Sequence, residues 1–520
     1  MSDVLTTIQE GEVYRLMPGD QVIVKIWVTA RRPTDEGDLR RSLANTPGTL
    51  RLKGSDGRTI YEKHVLHLKG DGEEEVDPLL RDVPQWWEEA KLGIFMHWGI
   101  YAVPGWAPPG PYAEWYWYHQ HHEDYDSWSF WTHHLNTYGK DFVYDDFIPQ
   151  VGSKFNASEI VRIVAASGAK YFIPTTMHHD GFCIFDSKNA TRRSSVHLGP
   201  QRDFLGELFD AAKKEQPHLR RGTYFSMVEW YNPNVGDGGY GWGTWPGWLA
   251  RNAYDTSKEE LYTGVPLVED WLRDEQLAKM KILAEDYETE VMWCDIGGPN
   301  MTREFLEDWL PFADKKNLQV AMNNRCGTRP QFDTPEYTKF SSIQYSKWES
   351  TESVDPHSFG YNRLTAPHDY RSAYYLIHTL VDIVSKNGNY LLNIGPDGDG
   401  VVPPPVVGRL LEMGHWLGHS GGCIYGTQTF YPGAEFKALR FTRTPTTFCI
   451  ISLHRPQDEV VIINTHIPLL ENDTISLLGA GDVGKSLQWA NLGGTYIIKV
   501  PEVALNKVNY AWAFQVEYAM

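Results

Sequence analysis

A TIM-type (β/α)8-like barrel, with a small β unit before it and a β-sandwich after it, is the α/β architecture this sequence predicts. Three observations predict it. The 520 residues exceed what one ordinary core serves, so several domains are expected. Between about residues 86 and 416, short apolar runs alternate with helical stretches, the pattern of a parallel sheet covered by helices. On either side of that zone the texture is strands alone, short and divided by Pro, Gly and charge. The expected divisions are 1–80, 81–418 and 419–520.

In chain order, QVIVKIWVTA, GTLRLKG and TIYEKHVLHL alternate apolar and polar residues and read as strands of the first unit. An acidic stretch over 71–77 then reads as a solvated linker. The barrel strands expected next are KLGIFMHWG, AKYFIPTTMHH, RGTYFSMVEW, EVMWCDIGG, LQVAMNNR, SSIQYSKWE and NYLLNIGP. Their intervening helices are ASEIVRIVAASG, DFLGELFDAAKKE, WLRDEQLAKMKILAEDY, FLEDWLPFADKK and YRSAYYLIHTLVDIVSKNG. The last of these ends at Asn387-Gly388, a sound C-terminal stop. ALRFTRTP, TFCIISLHR, EVVIINTH, TISLLG, GGTYIIKV and WAFQVEYAM complete the chain as a β-sandwich.

Charge excludes several classes of partner. There are 48 Lys and Arg against 67 Asp and Glu, a net of −19, which repels nucleic-acid backbones and anionic lipid. The longest apolar runs, such as the one from Val401 to Val407, are short and broken by proline, well under the ~20 residues of a membrane span. The opening MSDVLTTIQEGE has no basic-then-apolar pattern, so no signal peptide is read there. Four Asn-x-Ser/Thr sequons, at Asn156, Asn189, Asn300 and Asn472, leave secreted and intracellular locations both open. Oligomeric state is not readable. Five cysteines without CxxC pairing are expected to be buried free thiols, with room for two disulfides at most. Twenty tryptophans and 28 tyrosines matter more. Trp115, Trp117, Trp128 and Trp131, then Trp242, Trp245 and Trp248, cluster in loop-like windows, where flat rings suit a ligand that is part apolar and part hydroxyl.

Polar side chains recur at the C-terminal ends of the apolar strands, where barrel enzymes assemble their sites. These endings are His97, then His178-His179-Asp180, then Glu229-Trp230, then Asp295, then Arg325. His97 alone reads more readily as a hydrogen-bonded core histidine, and Arg325 alone nearly as readily as part of a structural ion pair. The adjacent pair His178-His179 points to a strand that is ending, since successive strand residues otherwise face opposite sides. With Asp180 it also raises a metal reading. No third ligand stands at helical spacing, and His119, His121 and His122 lie in the tryptophan-rich loop, so no metal is expected. Asp295 leaves the apolar run VMWC and meets Ile296-Gly297-Gly298-Pro299, a sharp turn that frees its carboxylate. A turn-capping role competes with that of a nucleophile.

These motifs resemble the α-L-fucosidases of glycoside hydrolase family 29, from about Pro84 to Pro403. WWEEAKLGIFMHWGIYAVPGW, AEWYWYH, AKYFIPTTMHHDGFCIFDSK, RDFLGEL, TYFSMVEWYNP, EVMWCDIGGP and LVDIVSKNGNYLLNIGPDGDGVVP stand in the family's order. The resemblance implies a retaining, exo-acting hydrolase of terminal α-L-fucosyl residues on oligosaccharides or glycans, working without cofactor. It implies a fucose pocket of His97, Glu114, Trp115, His178, His179, Tyr224, Trp293 and Arg325, with Asp295 as nucleophile. For the general acid/base it favours Glu336, 11 residues after Arg325 in PQFDTPEY, over Glu349 in SKWES, which it casts as support for the site. Two other readings are a fucose-binding protein without turnover and a different retaining glycosidase on the same barrel. The presence of both carboxylates disfavours the first, and the paired histidines and motif order disfavour the second. Cys294 departs from the polar or aromatic residue usual beside the nucleophile, and the N-terminal β unit is a less usual addition.

Overall fold

The computed structural model describes residues 5–9, 27–30, 48–53, 59–65, 79, 81–121, 129–235, 250–328, 331–430 and 433–518. The chain divides into two compact units, Met1–Leu80 and Arg81–Met520. In the first, β1 (Leu5–Gln9) pairs antiparallel with β2 (Trp27–Ala30), and β3 (Gly48–Lys53) pairs antiparallel with β4 (Thr59–Val65). The strand β1, LTTIQ, carries too few apolar residues to announce itself in the sequence. The acidic stretch over 71–77 lies outside the described residues.

The second unit is built on seven parallel strands: β5 (Leu92–Met96), β6 (Tyr171–Met177), β7 (Arg220–Ser226), β8 (Val291–Asp295), β9 (Ala321–Met322), β10 (Trp348–Ser353) and β11 (Gly388–Ile394). Their order is β10-β11-β5-β6-β7-β8-β9. Strands covered on both faces read as continuous apolar runs, and β5 and β6 are buried at every residue. The sixth expected strand is displaced. SSIQYSKWE enters the sheet only at Trp348, and the strand continues through Ser353. Its sequence, WESTES, is polar yet wholly buried, so hydropathy does not mark it.

The seam between β9 and β10 is stitched by single parallel bridges, Asn323↔Phe332, Asp333↔Trp348 and Glu336↔Thr351. The chain over 331–337 thus occupies the place of an eighth strand without ladder regularity. Below the sheet, the short helix Gln85–Ala90 packs Trp87 among Phe95, Tyr171, Val291 and Leu391 and stacks it on Phe332 at 4.5 Å. The helices expected from the sequence form with local caps. Asn156 accepts from the amide of Glu159 ahead of Ala157–Ala166, and Asp203 accepts from that of Gly206 ahead of Phe204–Glu215. The helix Pro404–Ser420 is an addition to those expected from the sequence, and none of the helices among the described residues is long and apolar enough to cross a membrane.

After the barrel come β12 (Gln428–Thr429), β13 (Glu435–Phe436), β14 (Leu439–Arg443), β15 (Thr447–Ser452), β16 (Val460–Ile463), β17 (Thr474–Leu477), β18 (Trp489–Leu492), β19 (Thr495–Lys499) and β20 (Trp512–Glu517). They form two antiparallel sheets, β12-β14-β15-β20-β17 with β13 on β14, and β16-β19-β18. One core that includes Phe448, Ile450, Ile463, Ile498 and Phe514 lies between them. Arg440 from β14 donates to Asp382 of the barrel helix Ala373–Ser385 at 2.6 Å.

The cysteines correct the sequence reading. Only Cys183 is a buried free thiol; Cys294 is bonded to Cys326 and Cys423 to Cys449. Neither spacing, 32 nor 26 residues, is a recognisable motif. Sheet neighbours bring the first pair together, and the turn after Pro404–Ser420 brings Cys423 to β15.

Candidate active site

A cavity of about 1080 Å³ opens where the strands end, and all ten residues expected at the site line it: His97, Glu114, Trp115, His178, His179, Tyr224, Trp293, Asp295, Arg325 and Glu336. Asp295 is the last residue of β8. Ile296, Gly297 and Gly298 follow with φ of 69°, 81° and 121°, three left-handed residues that swing the chain away from the carboxylate. A β-branched residue in that region is strained, so Ile296 is held there by its surroundings.

Arg325 arrives from the 3₁₀ turn Asn324–Cys326 after β9. Its Nη1 lies 2.6 Å from Asp295 Oδ1 and 2.8 Å from Glu336 Oε1, while Nη2 donates to the Thr334 carbonyl at 2.9 Å. The hydroxyl of Tyr224 donates to Asp295 Oδ2 at 2.8 Å, and His179 Nε2 stands 3.7 Å from that oxygen. Burial opposes the charge of Asp295, but the Arg325 guanidinium, His179 and the Tyr224 hydrogen bond outweigh it and hold the carboxyl below its ordinary range. Glu336 moves the opposite way. Its residue sits on the rim with the side chain 39% exposed, but the carboxyl turned toward Asp295 is raised, by desolvation first and then by Asp295, against the pull of Arg325. The two carboxyls therefore have opposed proton affinities.

Burial keeps the histidines neutral, and the partners of His97 and His179 fix which ring nitrogen accepts. His97, at the end of β5, shares Asn393 Oδ1 at 2.7 Å through Nδ1, and burial pushes it down to about 4. An amide oxygen only accepts, so Nδ1 carries the proton and Nε2 the lone pair. The single proton of Ser226 Oγ goes to the Val228 carbonyl, so its 2.6 Å contact with His179 Nδ1 makes that nitrogen the donor. His179 is likewise lowered to about 4 by burial. His178 is lowered further by burial and its two histidine neighbours, and its buried Nδ1 has no hydrogen-bond partner. Both histidines face the cavity because β6 ends at Met177 after an irregularity between Thr175 and Met177, where Thr176 turns to donate to the Tyr224 carbonyl. Pro174, which lacks a ladder donor, precedes this break.

Glu114, from the 3₁₀ turn Ala113–Trp115, accepts from Ser358 Oγ and the Gly360 amide, and burial raises it to about 7. Trp115 meets His179 and Trp230 edge-on at 5.5 and 5.4 Å. Trp293 lies nearly parallel to Tyr224 at 5.7 Å and donates through its ring nitrogen to Glu349 at 2.9 Å. Glu349 itself is fully buried beneath Trp293 against Tyr171, outside the cavity lining, and raised to about 7 by burial.

Sequence reasoning missed several lining residues. Phe359, 5.0 Å from His97, and Tyr112 arrive from loops without periodic signal. Thr351, whose buried hydroxyl has no partner, belongs to the polar β10. The run Pro108–Pro111 on the rim is visible in the sequence as a Pro/Gly turn. Of the aromatic clusters, Trp117 is buried core, stacked on Tyr144 at 4.8 Å, and Trp128, Trp242, Trp245 and Trp248 lie outside the described residues. No cluster of three or more His, Cys, Asp or Glu suited to a metal occurs among the described residues.

Breaking a glycosidic bond takes one carboxyl that stays ionised and one that keeps its proton, facing each other across a sugar ring. With aromatic walls around that pair at a barrel mouth, the chain falls among the barrel glycoside hydrolases. Comparison with known proteins narrows the class. The profile of the family described as Alpha-L-fucosidase matches residues 68–422. An alpha-L-fucosidase of Dictyostelium discoideum is 29% identical over 442 residues, covering 82% of this chain and 90% of its own. The tissue alpha-L-fucosidase of Rattus norvegicus is 31% identical over 416 residues, covering 77% and 82%. The crystal structure of Thermotoga maritima alpha-fucosidase in complex with fucose superposes with a TM-score of 0.69 at 32% identity, covering 84% of this chain and 97% of that one. The chain belongs to the alpha-L-fucosidase family.

Proposed function

We propose that the protein is an exo-acting, retaining α-L-fucosidase that releases terminal L-fucose from oligosaccharides or glycans, with Asp295 as nucleophile and Glu336 as general acid/base. Asp295 attacks the anomeric carbon while Glu336 protonates the departing oxygen, giving a covalent fucosyl-enzyme. Glu336 then takes a proton from water, which displaces Asp295 and restores the anomeric configuration. The observation that carries this is the shared Arg325 nitrogen. Laid end to end, its 2.6 and 2.8 Å contacts cap the distance between Asp295 Oδ1 and Glu336 Oε1 at 5.4 Å. That bound accords with the ~5–5.5 Å of retaining enzymes and is under the ~6.5–9.5 Å that inverting enzymes need to seat a water.

Around the pair, the acceptor nitrogens of His97 and His179, the carboxyl of Glu114 and the Arg325 fork offer fixed partners for sugar hydroxyls. The rings of Trp115, Tyr224, Trp293 and Phe359 offer apolar faces to the C5 methyl. The similar T. maritima enzyme, solved with fucose and with a mechanism-based inhibitor, lends the substrate class.

The test is nitrophenol release from 4-nitrophenyl α-L-fucopyranoside. Asp295→Gly should lose on the order of 10³-fold or more in kcat while folding normally, and azide should restore part of the rate. Full activity in that variant would remove Asp295 from the chemistry.

A further inference from the structure

The sheet ladder stops short of the residue that joins the two carboxyls. β9 pairs with β8 only through Val291↔Ala321 and Met292↔Met322, and the chain then leaves the sheet into Asn324–Cys326 and turns out through Gly327 at φ 95°. Two links continue past that point. The Asn323 side chain exchanges hydrogen bonds with the Cys294 backbone, at 2.9 Å from its amide and 3.0 Å to its carbonyl. The second link is the disulfide Cys294–Cys326, with Cα atoms 4.9 Å apart and both cysteines fully buried. The bonded cysteines are the immediate chain neighbours of Asp295 and of Arg325.

We propose that the Cys294–Cys326 bond is a positioning group for the reaction: it locks the Arg325 turn onto the end of the nucleophile strand, so that one guanidinium nitrogen stays in contact with both Asp295 and Glu336. This rests on the roles given to those carboxyls above. A disulfide confines its Cα atoms to a window of roughly 4.4–6.8 Å, whereas a turn held by side-chain hydrogen bonds alone can drift. Arg325 governs the geometry of both carboxyls, and displacements of ~1 Å at such a group cost on the order of 10²-fold in rate. The alternative is a bond that only staples the fold. The second disulfide supplies the comparison, since Cys423–Cys449 spans 26 residues against 32 and joins the last barrel helix's exit turn to β15, with neither cysteine next in the chain to a residue that lines the cavity.

The experiment compares the parent chain with Cys294→Ser/Cys326→Ser, with Cys294→Val/Cys326→Ala, which refills the buried space without hydroxyls, and with Cys423→Ser/Cys449→Ser. Each is checked for folding by near-UV circular dichroism, and kcat, KM and the pH profile are measured on 4-nitrophenyl α-L-fucopyranoside. Asp295 is faced by Arg325 and Glu336 from the seam, Tyr224 from β7, His179 from beyond the end of β6 and His97 from beyond the end of β5, and of these Arg325 sits on the bonded turn, where it also holds Glu336. Both Cys294/Cys326 variants should therefore lose on the order of 10- to 100-fold, mainly in kcat, with the acid limb of the profile moved to higher pH. The Cys423/Cys449 variant should lose melting temperature and keep parent kinetics. If folded Cys294/Cys326 variants keep the parent kcat and acid limb, the bond is a staple and the proposal is wrong. A parent without turnover would overturn the functional reading instead.

Discussion

Asp295 and Glu336 are separated in proton affinity by what lies around them, and this sets the pH behaviour. Asp295 is held below its ordinary range by Arg325 and His179 against the cost of burial, so activity should rise with pH through a limb under ~3.9. Glu336 is raised by desolvation and by Asp295, so activity should fall again through a limb above ~4.3. A kcat/KM profile of the parent beside Arg325→Met checks the cause. Without the guanidinium the acid limb should climb, and an unmoved limb would show that Arg325 does not govern Asp295. At this scale much of the site was legible. His97, His178, His179, Asp295 and Arg325 stand where apolar runs stop, which is visible in one dimension. Glu114 and Trp115 follow from the family's motif order, and Glu336 from its spacing after Arg325 and the Tyr337 beside it. Thr351 and Phe359 were not visible, because one sits in a strand made of buried polar residues and the other in a loop.

Elements differ in how strongly they hold the chemistry. β5, β6 and β8 read plainly because burial on both faces demands apolar residues, whereas β10 pairs Glu349, Ser350 and Glu352 with internal partners and so is hidden from hydropathy. The short helix Gln85–Ala90 is hidden for a different reason: six residues are too few to show a period. Its Trp87 underpins the seam through Phe332, four residues before Glu336. Trp87→Ala should cost about 3–5 kcal/mol in urea unfolding, as for other large buried aromatics, and should also depress kcat by unsettling that segment. Loss of stability with kcat intact would mean that Phe332 holds its place without the indole.

Across the whole molecule, the barrel and the two terminal β regions were legible from texture, but the cross-links were not. Pairing over 32 and 26 residues depends on which strands become neighbours, which no local spacing encodes. Thiol titration of the denatured, unreduced chain should find one reactive group per molecule, Cys183, and all five after reduction. Three or more before reduction would contradict the pairing. The irregular eighth stave bears on how such a protein can change over generations. One residue inserted within Val291–Asp295 would turn every following side chain of the strand to the opposite face, so Asp295, the proposed nucleophile, is tied to the length of its strand. The stave bearing Glu336 joins its neighbours by isolated bridges rather than a continuous ladder, so an added or lost residue there should shift fewer paired positions than one in β8. A lineage could thus re-site the proposed proton donor while leaving the opposing carboxylate in place, and a library of insertions over 331–337 is the place to look for new leaving-group preferences.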